Sequence, residues 1–316
     1  VAGSWQTAWI RSLRDAKRSI DPWEPLGHCW EDERAHGGGL LRTLTVFSAG
    51  AECPFTCVFC DLWRETLDGP TPHGALAIQL RKVLAEVGAL PQPVAVKLYN
   101  ASNFFDQRAV PREDEEELID LLAPFRRVTV ECHPRLIDGR CLSFAERLTG
   151  GLEVAMGLET VHPEALRRLN KRMTLDDFDR AAAKLQQAGI ELRAFVLVSP
   201  PFVPPEEAVD WAVRSAEHAF AQGAARVSLI PVRDGNGALE VLRGAGVFTR
   251  PRLEQLEEAL ECCLSLDAGI VTADLWDARR LATCTRCADE RLARLDRMNR
   301  TGRPAPRLPC TVCGWT

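Results

Sequence analysis

Six short β-branched or apolar runs, at residues 44–47, 94–99, 128–131, 152–157, 192–198 and 227–231, recur along this chain with amphipathic stretches between them. Neighbouring strands that run the same way need a crossover of a dozen residues or more, and such crossovers are right-handed. The alternation therefore predicts six β/α units whose parallel sheet coils toward a barrel, with reactive groups at the carboxyl ends of the strands. Two helices can be read residue by residue. Pro205 opens one, Glu206 and Glu207 suit its first turn, Val209, Val213, Ala216 and Phe220 give it an apolar face, and Gly223 follows it. Thr174 caps another, with Asp177 three residues on and Gly189 at its far end.

The pattern divides the chain into three parts: an N-terminal helical extension at 1–38 ending in a Gly37, Gly38, Gly39 linker, a barrel at 39–266, and a Cys-rich basic module at 267–316. Hydrophobic residues make up 46% and charged residues 26%, values of an ordinary globular protein. No run approaches the roughly 18 apolar residues that would span a bilayer, and the first twenty residues lack the apolar core of a secretory signal. The expectation is a cytoplasmic protein with no membrane partner.

There are twelve cysteines in the 316 residues, and in a reducing compartment closely spaced cysteines point to metal rather than disulfides. Cys53, Cys57 and Cys60 fall in the loop AGAECPFTCVFCDLW directly after the first of the six strands. A structural zinc wants four protein ligands, and no His lies between Phe47 and Gly69 to supply the fourth. Three thiolates on a 4Fe-4S cluster leave one iron open, so the odd count favours a catalytic cluster. Cys284 with Cys287 and Cys310 with Cys313 make two Cys-x-x-Cys pairs, whose four thiolates suit zinc or a second iron-sulfur cluster. Cys29, Cys132, Cys141, Cys262 and Cys263 are expected to be small buried apolar residues.

The Cys-x-x-x-Cys-x-x-Cys spacing, with Phe59 just before the last cysteine, resembles the radical S-adenosylmethionine (radical SAM) superfamily. The resemblance implies a partial (β/α)6 TIM-like barrel whose open iron chelates SAM and whose cluster electron cleaves it to a 5′-deoxyadenosyl radical. It also implies an outside electron donor: a reductase, flavodoxin or ferredoxin. Further segments extend the match. VKLYNASNFFD ends the second strand where the superfamily has a glycine-rich turn, so Asn100, Ala101 and Ser102 would line the SAM edge, although no Gly-Gly-Glu is present. VTVECHPRLI resembles the oxygen-independent coproporphyrinogen oxidase branch and implies Glu131 beside SAM, with His133 and Arg135 near substrate. GLETVHPEALRRLNKR resembles the same branch and implies Glu159 at the barrel mouth and Lys171 on the SAM carboxylate.

The most extended resemblance, from about Thr43 to Leu264, is to the radical SAM subunit of archaeosine synthase and its uncharacterised relatives. It implies a modified nucleobase substrate, in transfer RNA. The alternatives are a radical transformation of a small metabolite or natural product, and a catalytically silent barrel that binds RNA or a partner. One feature of composition bears on the choice. Residues 278–316 hold nine Arg against Asp289, Glu290 and Asp296, a count of +6 that leaves −11 for the rest of a chain whose net charge is −5. Arg294, Arg297 and Arg300 are the expected RNA handle if this tail faces solvent, with a lid over the barrel as the alternative.

Overall fold

The computed structural model describes residues 2–307 and 309–314. Its centre is one eight-stranded sheet in the spatial order of the sequence: β1 (Gly27–Arg34), β2 (Leu40–Phe47), β3 (Val94–Tyr99), β4 (Arg127–Glu131), β5 (Gly151–Glu159), β6 (Glu191–Val198), β7 (Arg226–Pro231) and β8 (Ile270–Ala273). β2 to β8 pair in parallel, and β1 alone is antiparallel. The six expected strands are β2 to β7, which form the partial barrel. Around them run α1 (Ala2–Ser12), α2 (Ala75–Val87), α3 (Glu115–Leu122), α4 (Gly139–Arg147), α5 (Pro163–Arg168), α6 (Leu175–Gln187), α7 (Ala208–Ala221), α8 (Ala238–Gly244), α9 (Leu253–Leu264) and α10 (Ala288–Thr301). No helix among the described residues is long and apolar enough to cross a membrane.

Strand period sorts the core into two faces. Leu44, Val96, Val130, Val154, Val196 and Leu229 point outward and are buried against Leu80, Leu118, Phe144, Phe178, Ala216 and Leu260 of the helices. The face of α7 is turned from the expected one: Ala212, Ala216 and Ala219 carry the contact, and Val209, Val213 and Phe220 flank it half-buried. Small residues let that helix lie close on the sheet. The capping box of Thr174 with Asp177 is formed as the sequence suggests.

Two strands escaped the apolar pattern, and each has a physical reason. Residues 1–38 are helical only at their start, because 27–34 form β1, and Gly37–Gly39 are its hairpin turn to β2, all three with positive φ, rather than a linker. β1 reads as polar because its inward face carries Glu31 and Glu33. Arg193 grips Glu33 through two bonds of 2.9 and 2.8 Å, and Arg127 adds one of 2.6 Å. Arg193 Nε also donates to Glu153 at 2.9 Å, which Arg226 approaches at 2.8 Å. Burial alone would raise the Glu33 carboxyl, but Arg193, Lys97 and Arg127 hold it well below its ordinary value. An ionic layer thus plugs the bottom of the barrel. β8 has only four residues and falls outside the expected barrel segment.

Above that layer the inward side chains Phe47, Tyr99, Glu131, Phe195, Ile230 and Thr272 are half-buried, so the middle and top of the half-barrel form an open chamber. The gap in the sheet between β8 and β1 is bridged by α10. Asn299 pairs with both backbone groups of Ala273 at 2.8 Å, and Arg300 reaches Asp32 at 3.3 Å.

Candidate functional site

The three-cysteine loop crosses the carboxyl ends of the strands and is tied down from four directions. Val58 N–H donates to Leu169 O at 2.9 Å, Asn170 Nδ2 to Thr56 O at 2.6 Å, and Asn236 Nδ2 to Val58 O at 2.8 Å. Phe55 stacks on His133 with ring centroids 3.7 Å apart. Phe59, half-buried, packs against an apolar cluster that includes Val58, Leu169 and Leu197.

Burial raises the Cys53 thiol, pushes Cys57 up to about 12 and lifts Cys60 well above its ordinary value, with Cys57 and Cys53 adding to the last shift. Lys171 opposes this at Cys53 and Cys57. Asn103 Nδ2 donates to Cys53 Sγ at 3.1 Å, and its Oδ1 accepts the His133 backbone N–H at 2.7 Å. Three thiols of one short loop that resist ionisation, with a donor already aimed at one sulfur, fit a group that brings its own positive metal charge.

The second layer of the site is a buried ion pair. Lys171 Nζ lies 2.6 Å from Glu159 Oε1, and both side chains are over nine-tenths buried. Glu159 sits at a β-bulge with φ +67, which swings its carboxylate back over the mouth. Gly157 makes room for the pair: a Cβ there would collide with Glu159 Oε1 and Lys171 Nζ. An ammonium has three N–H donors, and Glu159 accepts one of them.

Asn100 Nδ2 and Ser102 Oγ at the end of β3, and Ser199 Oγ at the end of β6, are buried without a hydrogen-bond partner. Buried polar atoms are nearly always paired, so these three at strand ends are candidate contacts for a polar ligand. Glu131 lines the chamber wall, where desolvation pushes its carboxyl up to about 7 against the opposing pull of Lys171 and Lys97.

The two residues expected near substrate both meet backbone groups. His133 is 4% exposed, and both ring nitrogens meet backbone: Nε2 donates to Lys171 O at 2.9 Å and Nδ1 accepts from Arg135 N–H at 3.2 Å. Burial depresses its pKa to about 3, so it is a neutral brace between the cysteine loop and the Lys171 turn. Arg135 is exposed and reaches Arg172 O at 3.3 Å. Conversely, Asn103, Gly157, Asn170, Ser199 and Asn236 were not singled out from the sequence, although Asn103 and Asn170 lie inside its NASNFFD and LNKR segments.

At the other end of the chain Cys284, Cys287, Cys310 and Cys313 converge, their sulfurs all within 4.8 Å of one another. Gly314 N–H closes the turn on Cys310 O at 2.8 Å, and backbone N–H groups of Cys313 and Val312 pull the Cys310 thiol down to about 7. Of the arginines between the pairs, Arg297, Arg300, Arg303 and Arg307 are exposed as the sequence suggests, and Arg291 and Arg294 are not. Arg291 and Arg294 are buried against α9: Arg291 bonds Glu257 at 3.0 Å and Glu254 at 2.6 Å, and Arg294 approaches Glu257 at 3.4 Å and pairs with Glu261. The +6 of the tail is largely met by the acidic body. Of the isolated cysteines, Cys132, Cys141 and Cys263 are buried as expected, whereas Cys29 is half-buried and Cys262 exposed.

A family model, the radical SAM superfamily, matches residues 48–212, just over half of the chain, from the start of the cysteine loop into α7. The chain belongs to the radical SAM superfamily. As a radical SAM enzyme it is 27% identical over 271 residues to an uncharacterised protein of Methanocaldococcus jannaschii, covering 80% of this chain and 74% of that one. It is 26% identical to archaeosine synthase subunit beta of Methanosarcina acetivorans, covering 73% of this chain and 69% of the relative. Among solved structures, the archaeal Elp3 of Methanocaldococcus infernus superposes with a TM-score of 0.54 at 14% identity, covering 75% of this chain and 61% of that chain. At that identity the match speaks for the fold alone. The radical SAM fold implies a 4Fe-4S cluster and SAM, and the C-terminal cysteines form a group able to bind a metal.

Proposed function

We propose that Cys53, Cys57 and Cys60 hold the 4Fe-4S cluster, that SAM lies across the ends of β3 to β6, and that the substrate in the chamber is a nucleobase of transfer RNA. The observation that carries the site is the three-cysteine loop, with Cys57 buried, lying beside the buried Glu159–Lys171 pair. When bound, the cluster and SAM supply a 5′-deoxyadenosyl radical that takes a hydrogen atom from the substrate. The chain's own residues then do the positioning. Asn103 stabilises the Cys53 thiolate through its N–H donor. Lys171, oriented by Glu159, offers its remaining donors to the SAM carboxylate. Asn100, Ser102 and Ser199 take polar groups of the cofactor. Glu131 holds the ammonium or a ribose hydroxyl, while Phe47, Tyr99 and Phe195 keep the chamber wall apolar.

The transfer RNA substrate is supported by similarity to archaeosine synthase subunit beta. The competing small-molecule reading is favoured by the burial of Arg291 and Arg294 and by the ion pairs of Arg300 and Arg307, which reduce the free basic charge of the tail. Anaerobic turnover of reconstituted enzyme with SAM, dithionite and total transfer RNA, followed by nucleoside mass spectrometry, separates them. A new or lost nucleoside is expected; unchanged transfer RNA alongside steady SAM cleavage would favour the small molecule.

The Glu131 assignment carries a pH dependence. Below about 7 the carboxyl is protonated and cannot oppose an ammonium, so SAM affinity should fall by up to roughly tenfold per pH unit on acidification and level off above it. Glu131→Gln should flatten that profile in equilibrium titrations. A profile identical in the two proteins would remove Glu131 from the cofactor.

At the C-terminal cysteines we propose zinc over a second cluster. Four sulfurs about 2.3 Å from one tetrahedral ion stand roughly 3.8 Å apart, and Cys284–Cys310 and Cys287–Cys313 measure 4.0 and 3.8 Å. Thiolates bound to separate irons of a cubane are spread more widely. Anaerobically purified protein should contain one zinc per chain, lost when Cys284 and Cys310 are both replaced by Ser; iron lost instead would assign a second cluster.

A further inference from the structure

A second opening reaches the cysteine loop from outside the barrel. It is a cleft of about 760 Å3 that includes Cys53 and Pro54 and is rimmed by Arg11, Arg14, Lys17, Arg18 and Arg108. Arg14 and Lys17 are engaged by Glu52, at 2.7 Å each, and Arg18 by Glu65 at 2.8 Å. Arg11 and Arg108 are exposed and have no ion-pair partner among the described residues. Against these five cations the cleft sets three acids, Asp15, Glu52 and Asp68, so its surface is positive in a chain whose net charge is −5.

The lining decides what this cleft can serve. It contains Cys53 but none of Tyr99, Glu131, Glu159 or Lys171, the residues around the chamber and the proposed cofactor. A molecule seated there touches the cluster's ligand without reaching the reacting carbon, so an electron, and no atom, has reason to pass that way. We propose that this cleft is the docking surface of an acidic one-electron donor protein. The proposal rests on the assignment of the cluster to Cys53, Cys57 and Cys60. One electron leaves the donor's reduced flavin or iron-sulfur group and enters the oxidised cluster; no bond is made or broken and no proton is transferred. Complementary charge raises the encounter rate of such transient redox pairs, whose interfaces are small. The N-terminal helix and the strap after it, carrying Arg11 to Arg18, thereby acquire a role: they build the positive side of the port.

The test compares reconstituted wild type with an Arg11→Glu, Arg108→Glu variant and, as a milder change, Arg11→Gln, Arg108→Gln. Both sites are exposed and unpaired, so folding is expected to be unaffected. Reduced flavodoxin and reduced ferredoxin, assayed separately, serve as probes, with stopped-flow bleaching of the cluster and equilibrium binding as the two readouts. For at least one probe, charge reversal should slow reduction and weaken binding tenfold or more, and should flatten the salt dependence of both. Cluster reduction by dithionite should be unchanged. Equal rates in variant and wild type with both probes would overturn the docking surface. So would unaltered reduction accompanied by a loss of transfer RNA binding, which would make the cleft an RNA surface. A wild type with no reducible cluster would overturn the cluster assignment itself, and the proposal with it.

Discussion

Lys171→Met should cost roughly 3–5 kcal/mol of stability, because it strands the Glu159 carboxylate in a buried site that the pair now neutralises. The double variant Glu159→Gln, Lys171→Met removes both charges and should recover most of that loss, since an apolar replacement of a buried pair is often near neutral. Chemical denaturation of the three proteins reads the difference. Function should not recover with stability. Both variants lack the ammonium, and a charge-assisted hydrogen bond of about 1.5–3 kcal/mol corresponds to a tenfold to 150-fold weaker hold on SAM. The lysine is raised above its ordinary value: burial alone would lower it, and Glu159 together with Cys57 and Cys53 outweighs that effect. Its contribution is therefore complete below the ordinary lysine value and fades only as pH rises through the folded one, leaving neutral pH unaffected. A single variant as stable as wild type would return Lys171 to the solvated surface.

A larger effect is expected at the cysteine loop. Replacing Cys53, Cys57 and Cys60 by Ala removes every thiolate on the mouth side of the loop, and iron incorporated there should fall to background. The fold should persist. The loop is held by Asn170, Asn236, Val58 and the Phe55–His133 stack rather than by sulfur alone. Far-ultraviolet circular dichroism near that of wild type, together with loss of the cluster absorption, is the expected pair of results. The C-terminal metal serves as an internal control, since its four ligands lie in a separate group.

The parts of this molecule that were legible in the sequence are those with local causes. β2 to β7 announce themselves because parallel strands packed by helices need apolar residues at alternate positions, and the helices because caps such as Thr174 with Asp177 act within one turn. β1 was not legible. Its inward glutamates become reasonable only once Arg193, some 160 residues away, lies opposite Glu33. The same long reach hid the fate of the tail: Arg291 and Arg294 read as solvent-facing until α9 brings Glu254, Glu257 and Glu261 to them.

The site divides along similar lines. Cys53, Cys57 and Cys60 stand out because the proposed cluster ligands are closely spaced, and Glu159 and Lys171 because they bracket one strand end and its turn. Asn103, Ser199 and Asn236 act through tertiary approach to the loop or as unpaired buried atoms, and no local pattern marks them. His133 was visible as a residue but not as a role, since only the fold shows both of its nitrogens committed to backbone.

Reductive cleavage of SAM by this loop and the strand ends beside it can be read in one anaerobic measurement. Reconstituted wild type and the three-cysteine variant are each given SAM and dithionite, and 5′-deoxyadenosine is quantified together with the electron paramagnetic resonance spectrum before and after SAM. The expected result is a reduced-cluster signal in the wild type that changes on adding SAM, 5′-deoxyadenosine formation, and neither in the variant. SAM-responsive signal and 5′-deoxyadenosine in the variant, or their absence from a wild type with full iron content, would contradict it.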